Sequence, residues 1–256
     1  LIRVCAAGVW HRTGTVPRHE FSGVIAGIGP DIRGAYIGQE VFGINDWISD
    51  GAMAEYCLAP YSAVAPKPRR LSHSEAASVP ISALTAWQGL FDRAKLQFGE
   101  RVLVHGGAGA VGIFAVQLAT LYGARVTATA SARDLGFLAG LGADEVIDYR
   151  ASTFEDCVRD MDIVFDTVGG KTRERSWSVL KPSGRMVTIA TCAATAEDER
   201  TRKAFFTVQA NQKQLTWIAG MLDAQQVRAF VAAAIPQSQA AVRRGYRNRG
   251  KQGESL

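Results

Sequence analysis

The sequence predicts an α/β protein in two lobes, a doubly wound parallel sheet preceded by a smaller β-rich lobe. Three observations predict it. Between residues 101 and 190 short apolar runs alternate with helical patterns, the rhythm of parallel strands joined by crossover helices. A glycine cluster closes the first of those runs. Residues 1–59 carry only strand-like and turn-like patterns.

The bulk properties agree with this. A chain of 256 residues can bury a sizeable core, and single cores seldom grow beyond about 250 residues, so two lobes are expected. With 47% hydrophobic and 21% charged residues the composition is that of a globular protein and argues against disorder over most of the length. No apolar run reaches the roughly 20 residues that cross a bilayer, and no basic-then-apolar leader opens the chain, so a cytoplasmic protein off the membrane is expected. Cys5, Cys57, Cys157 and Cys192 have no C-x-x-C spacing and read as buried free thiols. The net charge of +5 owes much to Arg243, Arg244, Arg247, Arg249 and Lys251 near the C-terminus. A nucleotide phosphate would use part of that excess.

Taken in order, Leu1–Val9 alternates as a strand and begins with neither methionine nor turn, so the chain is expected to start inside a domain. His11–His19 is polar and irregular. Phe21–Ile28 reads as a strand ending at the turn Gly29-Pro30, and Glu40–Ile44 and Ala52–Ala59 add two more strands. Pro60–Pro80, with four prolines around a basic run, suits a connection between lobes. Ser82–Lys95 has helical spacing through Leu84, Trp87, Leu90 and Phe91.

Arg101–His105 then has the branched character of a buried parallel strand, and Ile113–Leu121 places apolar side chains at helical spacing. Between them Gly107, Gly109 and Gly112 fall at the G-x-G-x-x-G positions. The first glycine is expected to allow the tight turn, the second to let backbone approach a pyrophosphate, and the third to pack helix on strand. The glycines alone would also suit an ordinary strand-to-helix turn; with a strand before and a helix after, a Rossmann-type dinucleotide site is expected. Further strands are expected at Arg125–Ala130, Glu145–Asp148, Asp162–Asp166 and Gly184–Ala190, with a helix over Asp134–Leu141. Thr191–Thr201 reads as loop, and Asn211–Asp223, Gln226–Ala234 and Ala240–Tyr246 as helices.

An NAD-type site usually ends its second strand with an acidic residue roughly 20 residues past the glycines. Here that strand ends Thr129-Ala130-Ser131. The Ser131 hydroxyl and the Arg133 guanidinium are therefore expected to hold a 2′-phosphate, which favours NADPH. The alternative is that Arg133 is a solvated residue neutralised by Asp134.

The motifs PRHEFSGVIAGIG (17–29), GQEVFG (38–43), DGAMAEY (50–56), SALTAW (82–87), VLVHGGAGAVGIFAVQLA (102–119), LGADEVIDYR (141–150) and DIVFDTVGG (162–170) occur together and in family order. In this the chain resembles the zinc-independent quinone oxidoreductase, zeta-crystallin-like branch of the medium-chain dehydrogenase/reductase superfamily. The resemblance implies a Rossmann domain over residues 81–223, inside a GroES-like catalytic domain of which residues 1–80 are an N-terminally shortened part and 224–256 the C-terminal return. It puts Gly107, Ala108, Gly109, Ala110, Val111 and Gly112 on the pyrophosphate, with Ser131, Arg133 and Tyr149 at the adenosine phosphate. Val168, Ile189 and Ala190 would line the dinucleotide, and the backbone around Phe206 and Val208 would meet the nicotinamide. Arg249, Gly250 and Lys251 resemble a terminal motif that returns near the cofactor. For the apolar members core packing is the alternative.

His19-Glu20 sits where zinc-dependent relatives carry a His-Glu pair, but Trp10 stands near the place of a ligand cysteine. Catalytic zinc needs three protein ligands and structural zinc four, so no metal is expected and His19 reads as structural. Without metal, hydride delivery to a quinone or an α,β-unsaturated carbonyl is the expected chemistry, with a hydrogen bond to the developing oxygen anion. The donor of that bond is not identified by the sequence. His11 and Thr13 are candidate replacements for the family's usual polar residue, and Trp47 is a candidate wall for the substrate. Two other functions stay open, a catalytically silent NADPH-binding protein and an enoyl reductase of a biosynthetic pathway. RNA binding by the basic tail competes with a plain solvated helix, and the resemblance implies a homodimer.

Overall fold

A computed structural model describes residues 1–8, 19–45, 51–190 and 198–235. The first lobe is an antiparallel sheet of β1 (Ile2–Ala7), β2 (Glu20–Ile25), β3 (Glu40–Ile44), β4 (Tyr56–Cys57) and β5 (Val64–Pro66), in the order β4-β1-β2-β3-β5. Val4 pairs with Gly23 and Ala6 with Ser22, so Cys5 is the extra residue of a bulge and is exposed; Cys157 is exposed too, and of the described cysteines only Cys57 is buried as expected. A small core of Ile2, Phe21, Ile25, Val41, Ala52, Cys57 and Val64 sits against this sheet. The expected strand over Ala52–Ala59 shrinks to two residues, while the supposed proline-rich connection contributes β5, whose Val64 and Pro66 pair with Gly43 and Val41. Pro66 is tolerated because it lies on a sheet edge.

Two helices lead out of the lobe. In α1 (His73–Ala76) a capping box fixes the start, Glu75 N–H donating to Ser72 Oγ and Ser72 N–H to Glu75 Oε2. His73 links α1 to the sheet, its Nδ1 2.7 Å from Ser22 Oγ and its Nε2 3.2 Å from Glu40 Oε1. Next, α2 (Pro80–Trp87) begins with proline at its first turn and buries all but one residue. It runs on as a π-helix over Gln88–Arg93, with Ala94 N–H donating to Gly89 O.

The second lobe is a five-stranded parallel sheet: β6 (Arg101–His105), β7 (Arg125–Ala130), β8 (Glu145–Asp148), β9 (Met161–Asp166) and β10 (Leu180–Thr188), ordered β10-β9-β6-β7-β8. The helices α3 (Gly112–Leu121), α4 (Leu135–Ala139), α5 (Phe154–Cys157), α6 (Gly170–Ser176), α7 (Glu199–Ala204) and α8 (Gln212–Asp223) cover it. Alternation along β6 shows why both faces are dry. Val102 and Val104 enter the large core with Leu84, Phe114 and Leu215, while Leu103 enters the second core with Phe154, Met161 and Val179. The order of strands reverses between β6 and β9, and there the crossovers leave in opposite directions.

Two sequence expectations fail after β10. The loop of 191–201 already begins α7 at Glu199, whose N-cap Asp198 accepts from Thr201 N–H at 2.8 Å. The helix expected over Gln226–Ala234 does not form. Arg228 N–H donates to Gln117 Oε1 (2.8 Å) and Arg228 O accepts from Gln117 Nε2 (3.1 Å), so a side chain on α3 takes both backbone groups that a helix would need. Ala240–Tyr246 lies outside the described residues.

Candidate functional site

The site forms at the carboxyl ends of the parallel strands. β6 ends in His105, and the chain reverses at Gly106, where φ is +70° and an added Cβ would lie 2.5 Å from Thr167 Oγ1. The tight turn therefore belongs to Gly106 and not to Gly107 as the motif suggested. Gly107 is a packing position, its hypothetical Cβ 2.9 Å from Ala128 Cβ and 3.0 Å from Leu138 Cδ1, and its N–H donates to Thr129 O. Gly112 opens α3 so close to the carbonyls of Gly106 and Gly107 that a Cβ has no room. Between them Gly109 and Ala110 are exposed, Ala108 is half-buried and Val111 is buried. The result is a loop whose exposed positions are one glycine and one alanine, ahead of a ten-residue helix that has no side-chain cap, an arrangement suited to an anion.

On the other side of the switch point, a buried carboxylate organises the loop after β9. Asp166 Oδ1 accepts from Val168 N–H and Gly169 N–H, both at 2.9 Å, and Oδ2 accepts from the Thr188 hydroxyl at 2.8 Å. Thr188 Oγ1 in turn accepts from Ala190 N–H, and Ile189 N–H donates to Asp166 O. One fully buried residue, through its carboxylate and its backbone carbonyl, thus ties Val168, Ile189 and Ala190 together. Thr167 Oγ1 donates to His105 O and ties this loop to the glycine turn.

His105 is also fully buried. The Ser176 hydroxyl donates its proton to Thr172 O at 2.6 Å, so His105 Nε2, 2.9 Å from Ser176 Oγ, is the protonated nitrogen. Nδ1 then accepts from Thr129 Oγ1 (3.2 Å), which accepts from Gly106 N–H. Burial pushes His105 down to about 4, against the pull of nearby Asp166, and keeps the ring neutral. Sequence reasoning took His105 only as the end of a strand. A histidine followed directly by the turn glycine was the available signal.

At the far end of the groove, Ser131 Oγ donates to Asp134 Oδ2 at 2.6 Å and Arg133 Nε to the same oxygen at 3.3 Å. The Ser131 hydrogen bond first, and Arg133 beside it, hold the Asp134 carboxyl below its usual range. The strand end is thus not free of acid, as its three residues suggested: a carboxylate from the start of α4 folds back onto it. Tyr149 is exposed and reaches the same corner, its N–H donating to Ala130 O.

Phe206 and Val208 point into the large core, so of these two residues only the backbone is left for a ligand. Gln88 fixes that backbone, accepting from Gln209 N–H at 2.9 Å and donating to Gln209 O at 2.7 Å. His11, Thr13, Trp47, Arg249, Gly250 and Lys251 lie outside the described residues.

A cavity of ≈ 930 Å³ opens between the lobes. Ala110, Ile113 and Phe114 of the glycine loop and α3 form one wall, Cys5 to Gly8 and Glu20 another, and Phe230 to Ile235 a third. Glu20 is buried and Oε2 accepts from Ile81 N–H at the start of α2, while His19 Nδ1 lies 3.2 Å from Asn45 Oδ1. Among the described residues no group of three or more His, Cys, Asp or Glu could hold a metal ion. No helix among them is long and apolar enough to cross a membrane.

An open parallel sheet with a glycine turn at its switch point, facing a β-rich lobe across a cleft, defines the class of two-lobed dinucleotide-binding α/β proteins. The zinc-binding dehydrogenase family matches residues 141–242, and the 2-methylene-furan-3-one reductase of Solanum lycopersicum is 36% identical over 225 residues, 85% of this chain and 56% of that one. The chain belongs to the medium-chain dehydrogenase/reductase superfamily, in its quinone oxidoreductase-like branch. Among solved structures, the quinone oxidoreductase from Coxiella burnetii superposes with a TM-score of 0.87 at 28% identity, covering 98% of this chain and 86% of that one. The CurK enoyl reductase superposes with a TM-score of 0.79 at 27% identity, covering 93% and 76%. The chain spans little more than half of the Solanum lycopersicum relative.

Proposed function

We propose that the chain is an NADPH-dependent reductase that passes hydride to a quinone or an α,β-unsaturated carbonyl without a metal. One observation carries this reading: the loop Gly109 to Gly112, where only Gly109 and Ala110 are exposed, runs into the uncapped start of α3 beside the interlobe cavity. In this reading Gly107 to Gly112 receive the pyrophosphate, Ser131, Arg133 and Tyr149 the adenosine end, and Val168, Ile189, Ala190 and the backbone of Phe206 and Val208 the nicotinamide half. Bound there, NADPH supplies the hydride. The chain's own part is to orient and to exclude water: Asp166 fixes the loop 166–169, Gln88 fixes 206–209, and the strap 230–235 closes a cavity wall. His19 and Glu20 are taken up by Asn45 and Ile81, which supports a metal-free mechanism. The division into catalytic (1–80), Rossmann (81–223) and returning (224–256) segments, a homodimeric state and a cytoplasmic location belong to the same proposal.

The test is oxidation of NADPH by the purified protein across a panel of quinones and enones, followed at 340 nm. Intact NADPH binding with no turnover on any acceptor would overturn the reading in favour of a silent binding protein. The likeness to CurK favours a second acceptor class, an enoyl thioester. Faster turnover of a crotonyl thioester than of every free quinone and enone would select it.

A further inference from the structure

The corner of Ser131, Arg133 and Asp134 contains a conflict that bears on the choice of dinucleotide. Two groups suited to a 2′-phosphate, a hydroxyl and a guanidinium, both spend a hydrogen bond on one carboxylate oxygen. That oxygen belongs to Asp134, 22 residues past Gly112, about the distance at which an acidic residue accepts from ribose hydroxyls in sheets of this type. It arrives there from the start of α4 instead of the end of β7. The Arg133 side chain is 87% exposed and can turn outward, whereas Asp134, at 27%, is held by Ser131. Arg150 lies over the Tyr149 ring at 5.6 Å and adds a second cation at the end of β8, with Asp148 Oδ1 accepting its N–H.

We propose that Asp134 is the specificity-determining residue of the adenosine site, a built-in anion that competes with a 2′-phosphate for Ser131 and Arg133 and so restrains the preference for NADPH over NADH. The proposal rests on the reading that this groove binds a dinucleotide. With the 2′-phosphate in place, the Ser131 hydroxyl must leave Asp134 and the carboxylate must face a like charge. With a 2′-hydroxyl in place, the same carboxylate is an acceptor and nothing need move. Arg133 and Arg150 pull toward phosphate, Asp134 toward hydroxyl, and their balance sets the ratio.

The experiment is Asp134→Asn in the full chain, read as the ratio of kcat/KM for NADPH to that for NADH and, independently of turnover, as the Kd of 2′,5′-ADP against that of ADP by calorimetry. Removing the charge while keeping the shape is expected to raise both preferences for the phosphorylated ligand roughly tenfold. In an Arg133→Ala background the gain is expected to shrink to roughly twofold or less, because the phosphate then lacks its main partner. A ratio that stays constant or falls in Asp134→Asn, while wild type binds both dinucleotides, overturns the role of Asp134 and leaves the reductase reading standing. Failure of wild type to bind either dinucleotide overturns both. A gain that persists undiminished without Arg133 would also overturn the competition, since the two residues would then act independently.

Discussion

The Asp166 carboxylate accepts the Thr188 hydroxyl at 2.8 Å, and that bond ties the end of β9 to the end of β10. The other carboxylate oxygen holds Val168 and Gly169 by their amides, and Gly169, at φ +78°, packs against Ala190. Asp166→Ala would leave two backbone N–H groups and a hydroxyl without this acceptor in a buried setting, a loss of about 2–4 kcal/mol. Asp166→Asn keeps an oxygen for the two amides and offers Thr188 a donor in place of an acceptor, so its loss is expected to be about half as large. Urea denaturation of the three proteins checks the order. A larger rise in dinucleotide Kd for Asn than its stability loss suggests would show that the position of Val168 and Ala190, and not bulk stability, is what Asp166 provides.

His105 makes stability depend on acid. Its folded form resists protonation down to about 4, while the unfolded ring takes a proton near 6.5, so the contribution is whole above pH 6.5 and is lost as pH falls toward 4. The loss over that window is about 3 kcal/mol. His105→Gln, which cannot take a proton, is expected to flatten the pH dependence of the melting temperature between pH 7 and 4. An equally steep fall in the variant would show that other groups carry the acid sensitivity.

Much of this architecture can be read from the residues because its cause is local. The runs 101–105, 125–130 and 145–148 are found where their short, branched residues between turn signals place them, most clearly in β6, whose last four residues are buried. The glycine pattern likewise marks the site, although Gly106 and not Gly107 bends the chain, because only φ, not spacing, tells a turn glycine from a packing glycine. What stays hidden depends on partners far away in sequence. Gln88 pairs with the backbone of Gln209 and Gln117 with that of Arg228, each more than a hundred residues on. Nothing around Gln226–Ala234 announces that α3 will claim its hydrogen bonds, so its local helical pattern misleads. Asp134 was visible beside Arg133, but its turn back to Ser131 was not.

Gln117 is the hinge of the third cavity wall. With both backbone groups of Arg228 on its amide and Arg228 Nη2 donating to Gly140 O, residues 227–235 are pinned across α3 toward the cavity. Gln117→Leu keeps the bulk and removes the pairing, at a cost of about 1–3 kcal/mol. Faster amide exchange at Arg228 and faster proteolysis within 228–235 are expected, with little change in β1 to β3. Unchanged exchange at Arg228 would mean that the Phe137–Phe230 contact, with ring centroids 5.0 Å apart, holds the strap by itself.

The glycines of the loop separate folding from binding. A methyl group on Gly112 collides with the carbonyl groups of Gly106 and Gly107, and backbone on both sides cannot yield, so Gly112→Ala is expected to lose about 2–3 kcal/mol and to melt early with or without ligand. On Gly109 the same methyl would stand 3.1 Å from Gly106 O alone, a contact relieved by a few tenths of an ångström, and the residue is exposed. Gly109→Ala should therefore fold nearly as well as wild type while its methyl stands where a pyrophosphate would lie. The expected result is a melting temperature within a few degrees of wild type and a dinucleotide Kd raised more than roughly tenfold. Tight binding by Gly109→Ala would move the phosphate away from this loop, whatever the fate of Gly112→Ala, because only the exposed glycine reports on the ligand and not on the packing of α3 against β6.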